Sequence, residues 1–146
     1  MNNEKLLVGN IEICSLPELG VLDINTRIDT GAKTSSLHVD NIQREKRRGK
    51  PWLTFDIHPD IYNVEDILSC EAPVFDVRSI KSSNGVSEER YVIKTTLEMN
   101  KVRWEIEITL ADRSNMSCLM LLGRQGMGDR LLVDPSRAFL LGNNDS

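Results

Sequence analysis

The tripeptide Asp29-Thr30-Gly31 follows an apolar run, and its carboxylate is the first candidate for chemistry in this sequence. A carboxylate in such a position can act as a general acid or base, or it can be an ordinary turn former. Asp and Gly are common turn residues, and a Thr hydroxyl supports a turn, so the tripeptide alone favours the second role. The rest of the chain decides between the two.

A second unusual segment, Leu121-Leu122-Gly123-Arg124, lies about ninety residues further along the chain. We expect both leucines to be core residues beside the Asp29 loop, and Gly123 to permit a close backbone approach. Arg124 has two open interpretations, a buried ion pair that locks a dimer or a helix, or a solvated helix residue. Together the two segments favour a catalytic role for Asp29.

Alternation of apolar and polar residues indicates that most of the chain is antiparallel β. It is clear over residues 53–57, 91–99 and 102–110. The junction at Asn100-Lys101 predicts a tight hairpin, and the Asn84-Gly85 pair predicts a second one. One short helix is expected, from Gly123 to about Asp129.

A sheet with many strands and little helix must close on itself or pack against another sheet. We therefore predict an all-β fold with a closed barrel and one short helix near the C-terminus, in a single domain over residues 1–146. The net charge of -4 argues against a dedicated nucleic-acid binder. Without a signal sequence or a long apolar run, and with three unpatterned cysteines, the chain is expected in the cytoplasm.

The two segments around Asp29 and Gly123 resemble those of the retropepsin-like aspartic peptidases. The likeness is closer to one bacterial family, long labelled ATP-dependent zinc proteases, which includes the RimB-type peptidases. It extends over nearly the whole chain in five ordered blocks, at residues 15–20, 29–38, 77–90, 120–124 and 132–137.

The resemblance implies a closed β barrel of the retropepsin type and, for RimB-like members, cleavage of α-linked glutamate tails. An ATP-grasp glutamate ligase adds these tails to a ribosomal protein. The implied partners are a second copy of the chain, a substrate peptide or protein that carries such a tail, and the ligase. We expect no cofactor, no membrane and no direct nucleic-acid partner.

Peptide hydrolysis by this route uses two carboxylates that share one proton, because two like charges so close cannot both ionise. The Thr30 hydroxyl can brace the loop, and Gly31 lets a backbone amide approach the carboxylate. The chain has one Asp-Thr-Gly. The second carboxylate is therefore expected to be Asp29 of another subunit across a two-fold axis.

A hairpin over residues 74–93 is predicted to cover the cleft as a flap, although an exposed hairpin without function is the alternative. Cations that suit a glutamate-rich substrate are Lys33, Arg78, Lys81 and Arg90. The residues predicted to contact substrate are Ala32, Lys33, Arg78, Ser82, Ser83 and Asn84.

The strongest run of charge lies at residues 44–50, with the sequence Arg-Glu-Lys-Arg-Arg-Gly-Lys. Two interpretations stay open. The run attracts a polyanion such as oligoglutamate or a ribosome surface, or it is a solvated hairpin tip.

A catalytic zinc site is not predicted, because the only histidines, His38 and His58, are twenty residues apart and no His-Glu-x-x-His motif is present. His38 is either a pocket residue or an ordinary strand residue. Two rival functions remain: a non-catalytic module of the same fold that binds an acidic tail or partner, and a metal-dependent hydrolase. A strictly monomeric protein would favour the first, and the second predicts stoichiometric zinc and loss of activity with a chelator.

Overall fold

The computed structural model describes residues 5–59, 66–81, 85–111 and 118–142. Within these ranges the chain forms strands, a 3-10 turn at Pro17–Leu19, and one α-helix, α1 (Arg124–Met127). The strands are β1 (Leu6–Val8), β2 (Ile11–Leu16), β3 (Val21–Ile28), β4 (Ser35–His38), β5 (Asp40–Arg47), β6 (Lys50–Ile57), β7 (Leu68–Pro73), β8 (Asp76–Lys81), β9 (Ser87–Met99), β10 (Val102–Ala111), β11 (Met120–Leu122) and β12 (Leu131–Val133).

Six strands close into a barrel in the order β10-β4-β11-β3-β2-β9, because β9 also pairs with β10. β8 continues the sheet beyond β9 as a seventh strand. Short β11 is part of the barrel wall between β4 and β3, and it pairs in parallel with β3 and antiparallel with β4. The prediction of an all-β closed barrel with one short helix near the C-terminus is confirmed.

The β9–β10 hairpin shows how the sequence pattern builds the barrel. Trp104, Ile106 and Ile108 are buried, whereas Glu105 and Glu107 between them are more exposed. Asn100 and Lys101 connect the strands with φ angles of 50° and 67°, as a two-residue turn with left-handed residues requires. The predicted strands and tight turn are confirmed.

The second predicted hairpin joins β8 to β9, with Lys81 paired to Ser87 next to the loop. It contains the predicted flap. Ser82, Ser83 and Asn84, which are predicted to contact substrate, lie outside the described residues.

A separate three-stranded sheet has the order β5-β6-β7. Its inner face buries Leu53, Phe55 and Ile57 in the core. Arg48 and Gly49 form the turn that connects β5 to β6, with φ angles of 52° and 77°. The charged run at residues 44–50 therefore forms a hairpin tip, as one of its two interpretations required.

The two ends of the described chain are joined around a buried carboxylate. β1 pairs in parallel with β12. The side chain of Glu12 is completely buried and accepts hydrogen bonds from the amides of Gly9 (2.7 Å), Leu140 (2.9 Å) and Leu141 (3.2 Å). Burial of a charge is tolerated when such bonds replace water, so Glu12 holds the C-terminal segment against β2.

The three cysteines, Cys14, Cys70 and Cys118, are free and buried. Burial raises the pKa of the Cys14 thiol to about 12 and that of Cys70 to about 11, which disfavours the reactive thiolates. In the described part of the chain, no helix has the length and apolar character needed to cross a membrane.

Replacing Glu12 by Gln is expected to lower the free energy of unfolding by about 1–3 kcal/mol, because an amide NH2 group would face backbone amides that now donate to the carboxylate. Urea unfolding followed by circular dichroism measures the effect. Glu105→Gln is the control: this glutamate is exposed, so a change within about 0.5 kcal/mol is expected. Equal stability of the two variants would contradict a structural role for Glu12.

Candidate active site

The Asp29 loop begins where β3 ends against β11. The amide of Asp29 donates to the carbonyl oxygen of Leu122 at 3.0 Å, which continues the parallel pairing of Ile28 with Leu122. Leu122 is fully buried in the core, whereas Leu121, which was also expected there, is half-buried. The barrel thus fixes the first residue of the loop.

The loop is a tight turn closed around its own carboxylate. The amide of Gly31 donates to Asp29 Oδ1 at 2.9 Å, and the amide of Ala32 donates to the Asp29 carbonyl oxygen at 3.2 Å. A Cβ atom at Gly31 would lie only 3.2 Å from Asp29 Oδ1. Asp29 is half-buried, whereas Thr30 and Gly31 are exposed. The carboxylate is therefore oriented by its backbone and remains accessible.

Helix α1 holds the loop from the other side. The first amides of a helix have no partner inside the helix, and here those of Arg124 and Gln125 donate to the carbonyl oxygens of Ala32 (2.8 Å) and Lys33 (3.0 Å). Arg124 Nη1 also donates to the Thr30 carbonyl oxygen at 3.0 Å. Arg124 is exposed and has no ion pair with another described residue, so within one subunit it braces the loop at the surface; an ion pair with a second subunit stays a prediction.

Two small residues allow α1 to lie so close to the loop. A Cβ atom at Gly123 would come within 2.5 Å of the Thr34 carbonyl oxygen. Buried Ser35 accepts a hydrogen bond from the Gly123 amide at 3.0 Å, and its carbonyl oxygen accepts one from Thr109 Oγ1 at 2.9 Å. Ser35 is a functional residue that was not predicted, and its one signal in the sequence is its place in the polar run that follows the Asp-Thr-Gly.

The residues predicted to bind substrate have different environments. Lys33 is exposed and Ala32 is half-buried, directly beside the Asp29 loop. Arg78 instead forms ion pairs with Asp76 (3.0 Å) and Glu107 (2.6 Å).

Hydrogen bonds to these two carboxylates raise the pKa of the Arg78 guanidinium. Arg90 is paired with Glu88 at 3.3 Å. These flap cations already have acidic partners within the chain, so a substrate carboxylate would have to compete for them.

His38 and His58 lie in different settings. His58 Nε2 lies 2.8 Å from Asp40 Oδ2, and half-buried His38 ends β4. Across the four described ranges, no group of three or more His, Cys, Asp or Glu side chains is arranged to hold a metal ion.

A model of the RimB-like family, described as "Retropepsin-like aspartic endopeptidase RimB", matches residues 7–144 of the chain. In a search of solved structures, a Legionella pneumophila protein of unknown function, Lpg0085, is similar with a TM-score of 0.77 and 24% sequence identity. The match covers 94% of this chain and 99% of the Legionella chain. This likeness concerns the fold.

Curated relatives are longer proteins. A "Probable alpha-L-glutamate ligase" from Shewanella pealeana is 48% identical over 142 residues, which are 97% of this chain and 31% of the relative. A protein of the same name from Desulfotalea psychrophila is 48% identical over 138 residues, which are 94% of this chain and 30% of the relative. The chain thus spans about a third of the length of these relatives.

Replacing Gly123 by Ala is expected to displace the Asp29 loop, because the new Cβ atom would meet the Thr34 backbone. Overpacking of this kind costs about 1–3 kcal/mol. Amide NMR shifts of residues 29–34, with urea unfolding, measure the effect. Gly20→Ala is the control, since Gly20 has a φ of 76° but open space around it; it should lose stability with no change at Asp29. An unmoved Asp29 loop in Gly123→Ala would contradict this account.

Proposed function

The chain belongs to the RimB-like family of retropepsin-like aspartic endopeptidases, and on this premise we propose that it hydrolyses peptide bonds as a homodimer with one Asp29 from each subunit. The observation that carries the proposal is the Asp29 loop. Its carboxylate accepts the Gly31 amide, and its backbone is bonded to β11. A carboxylate held in this way needs little reorganisation during a reaction, which favours catalysis.

In the proposed mechanism the two Asp29 carboxylates share one proton and hold a water molecule between them. The ionised carboxylate takes a proton from this water while the water oxygen attacks the peptide carbonyl carbon. The protonated carboxylate gives its proton to the carbonyl oxygen. When the tetrahedral intermediate collapses, the C–N bond breaks and the carboxyl that took the proton from water gives it to the leaving nitrogen. The other carboxylate takes back a proton from a hydroxyl of the intermediate, so that an acid and an amine are released and the shared proton is restored.

The homodimer is part of the proposal because one subunit supplies one Asp-Thr-Gly. A two-fold axis that passes between two Asp29 loops would bring identical carboxylates together. In the proposed dimer, the β8–β9 hairpins of both subunits cover the cleft and exclude water from the reacting bond. A non-catalytic module with the same fold would have no such requirement for a dimer.

We propose α-linked glutamate tails on a ribosomal protein as the substrate, cut in the cytoplasm. The names of the relatives support this choice, because the matching segment is about a third of chains called "Probable alpha-L-glutamate ligase". A ligase forms the α-peptide bond that an endopeptidase would break, so both activities on one tail would set its length. A separate glutamate ligase is accordingly the proposed functional partner, and the free cysteines suit a reducing compartment.

Replacing Asp29 by Asn should abolish cleavage of a peptide that carries an oligo-α-glutamate tail, with a loss of at least about 10²-fold in rate, because the amide cannot act as acid or base. Mass spectrometry of the products measures the loss. The matched control is Asp129→Asn, an exposed aspartate just after α1, which should cleave like the parent.

A chelator should leave cleavage unchanged under the same conditions. Cleavage by Asp29→Asn, or loss of cleavage with chelator and its return with zinc, would reject the aspartic mechanism. The second result would favour the metal-dependent hydrolase.

Mixing the parent with the Asp29→Asn variant tests the shared site directly. After random exchange at equal concentrations, about a quarter of the dimers would contain two parent subunits, so activity per parent chain should fall by about half. Sedimentation analysis should show a mass near twice that of one chain. Full activity per parent chain, or an active monomer, would contradict a site built from two subunits.

A further inference from the structure

The β5–β6 hairpin carries a group of exposed cations that the proposed catalytic site does not use. We call this group the basic tip. It consists of Arg44, Lys46, Arg48 and Lys50, and all four side chains are exposed. None of them forms an ion pair with a residue of the described ranges. The charge of the basic tip is therefore available to a partner, in a chain whose overall charge is -4.

The two acidic side chains nearest the basic tip share one arginine. Arg47, on the other face of β5, contacts Glu45 at 2.5 Å and Glu71 at 2.7 Å. Its guanidinium also lies 4.7 Å from the centre of the Trp52 ring. The four tip cations and Arg47 together outnumber these two carboxylates, so this end of the hairpin keeps a net positive charge that faces solvent.

The backbone of β5 adds a second binding element. β5 is the edge of its sheet, and in the described part of the chain no other strand pairs with its free side. Arg44 and Lys46 lie on one face, about 6.8 Å apart along the strand. Alternate side chains of an extended peptide have the same spacing, so a peptide added to this edge would place alternate carboxylates opposite these two cations.

We propose that the basic tip and the free edge of β5 form a docking site for an extended acidic peptide, separate from the Asp29 loop. The identity of the peptide as an oligo-α-glutamate tail rests on the proposed function. The docking site itself follows from the unpaired cations and the open strand edge. It also gives the chain a second contact with its substrate.

An acidic peptide fits this surface better than RNA does. Proteins that bind single-stranded nucleic acid stack bases on exposed aromatic rings, but the ring of Trp52 is covered by Arg47. The free edge of β5 offers backbone hydrogen bonds in the pattern of a peptide strand, not of a sugar-phosphate chain.

The turn end of the β5–β6 hairpin lies beside the segment that leads into β8. The amide of Val74 donates to the carbonyl oxygen of Pro51 at 3.0 Å, and β8 begins two residues after Val74. The flap cations Arg78 and Arg90 are occupied by carboxylates of the chain. A tail held at the tip would raise its concentration near the cleft without using those side chains.

Fluorescence anisotropy with a labelled hexa-α-glutamate peptide tests the docking site in the Asp29→Asn background, where the peptide is not cut. Arg44→Gln/Lys46→Gln should weaken binding by about three- to tenfold, and the difference should vanish at about 0.5 M salt. Lys5→Gln/Lys101→Gln removes the same charge from exposed sites elsewhere and should bind like the parent. A hexaglutamine peptide should not bind.

The proposal would be overturned if both double variants weakened peptide binding equally. It would also be overturned if an RNA hexamer bound to the basic tip more tightly than the hexa-α-glutamate peptide does. It would also fail if charges on β5 served only to keep an edge strand from aggregating, because the peptide affinity would then be unchanged. Cleavage is scored separately with Asp29 intact. Binding that depends on the basic tip, without cleavage, would support the docking site and reject the peptidase activity. Cleavage with binding that does not depend on the basic tip would support the peptidase activity and reject the docking site.

Discussion

Gly123 lies against Thr34 so closely that a Cβ atom would come within 2.5 Å of the Thr34 carbonyl oxygen. This approach lets β11 pair with both β3 and β4 inside the barrel and lets α1 begin directly beneath the Asp29 loop. The loop then receives hydrogen bonds from two helix amides that would otherwise have no partner. A missing side chain at one position thus permits the whole arrangement of strand, helix and carboxylate.

Local patterns in the sequence predicted much of this structure. Alternation identifies β9 and β10 because each strand buries one face only, and Asn100-Lys101 predicts the turn because its residues accept left-handed angles. The Asp29 and Gly123 segments were recognisable because a turn, a close approach and a helix start each require particular residues. Their contact joins segments about ninety residues apart, and the sequence resemblance, not periodicity, linked them.

Long-range electrostatics could not be read from the sequence. The residues next to Glu12 in the sequence do not indicate that its carboxylate is buried. Its partners, the amides of Leu140 and Leu141, come close to it only in the folded chain. The same limit applies to Arg78, whose partner Glu107 lies on another strand. A run of like charges shows where cations are, whereas folding decides which of them find carboxylates. The separate β5-β6-β7 sheet was unrecognised for a related reason, because alternation does not reveal which strands are neighbours.

The parallel pairing of β1 with β12 has a mechanical consequence. Leu6 faces Leu131 and Val8 faces Val133, so the N-terminal end of one strand and the C-terminal end of the other are at opposite ends of the pair. A force that pulls these ends apart loads the inter-strand hydrogen bonds in shear, all at once, and does not unzip them one by one. Tension transmitted through an attached domain, or by a motor that pulls on one end, would therefore meet a mechanical clamp before it reached the barrel.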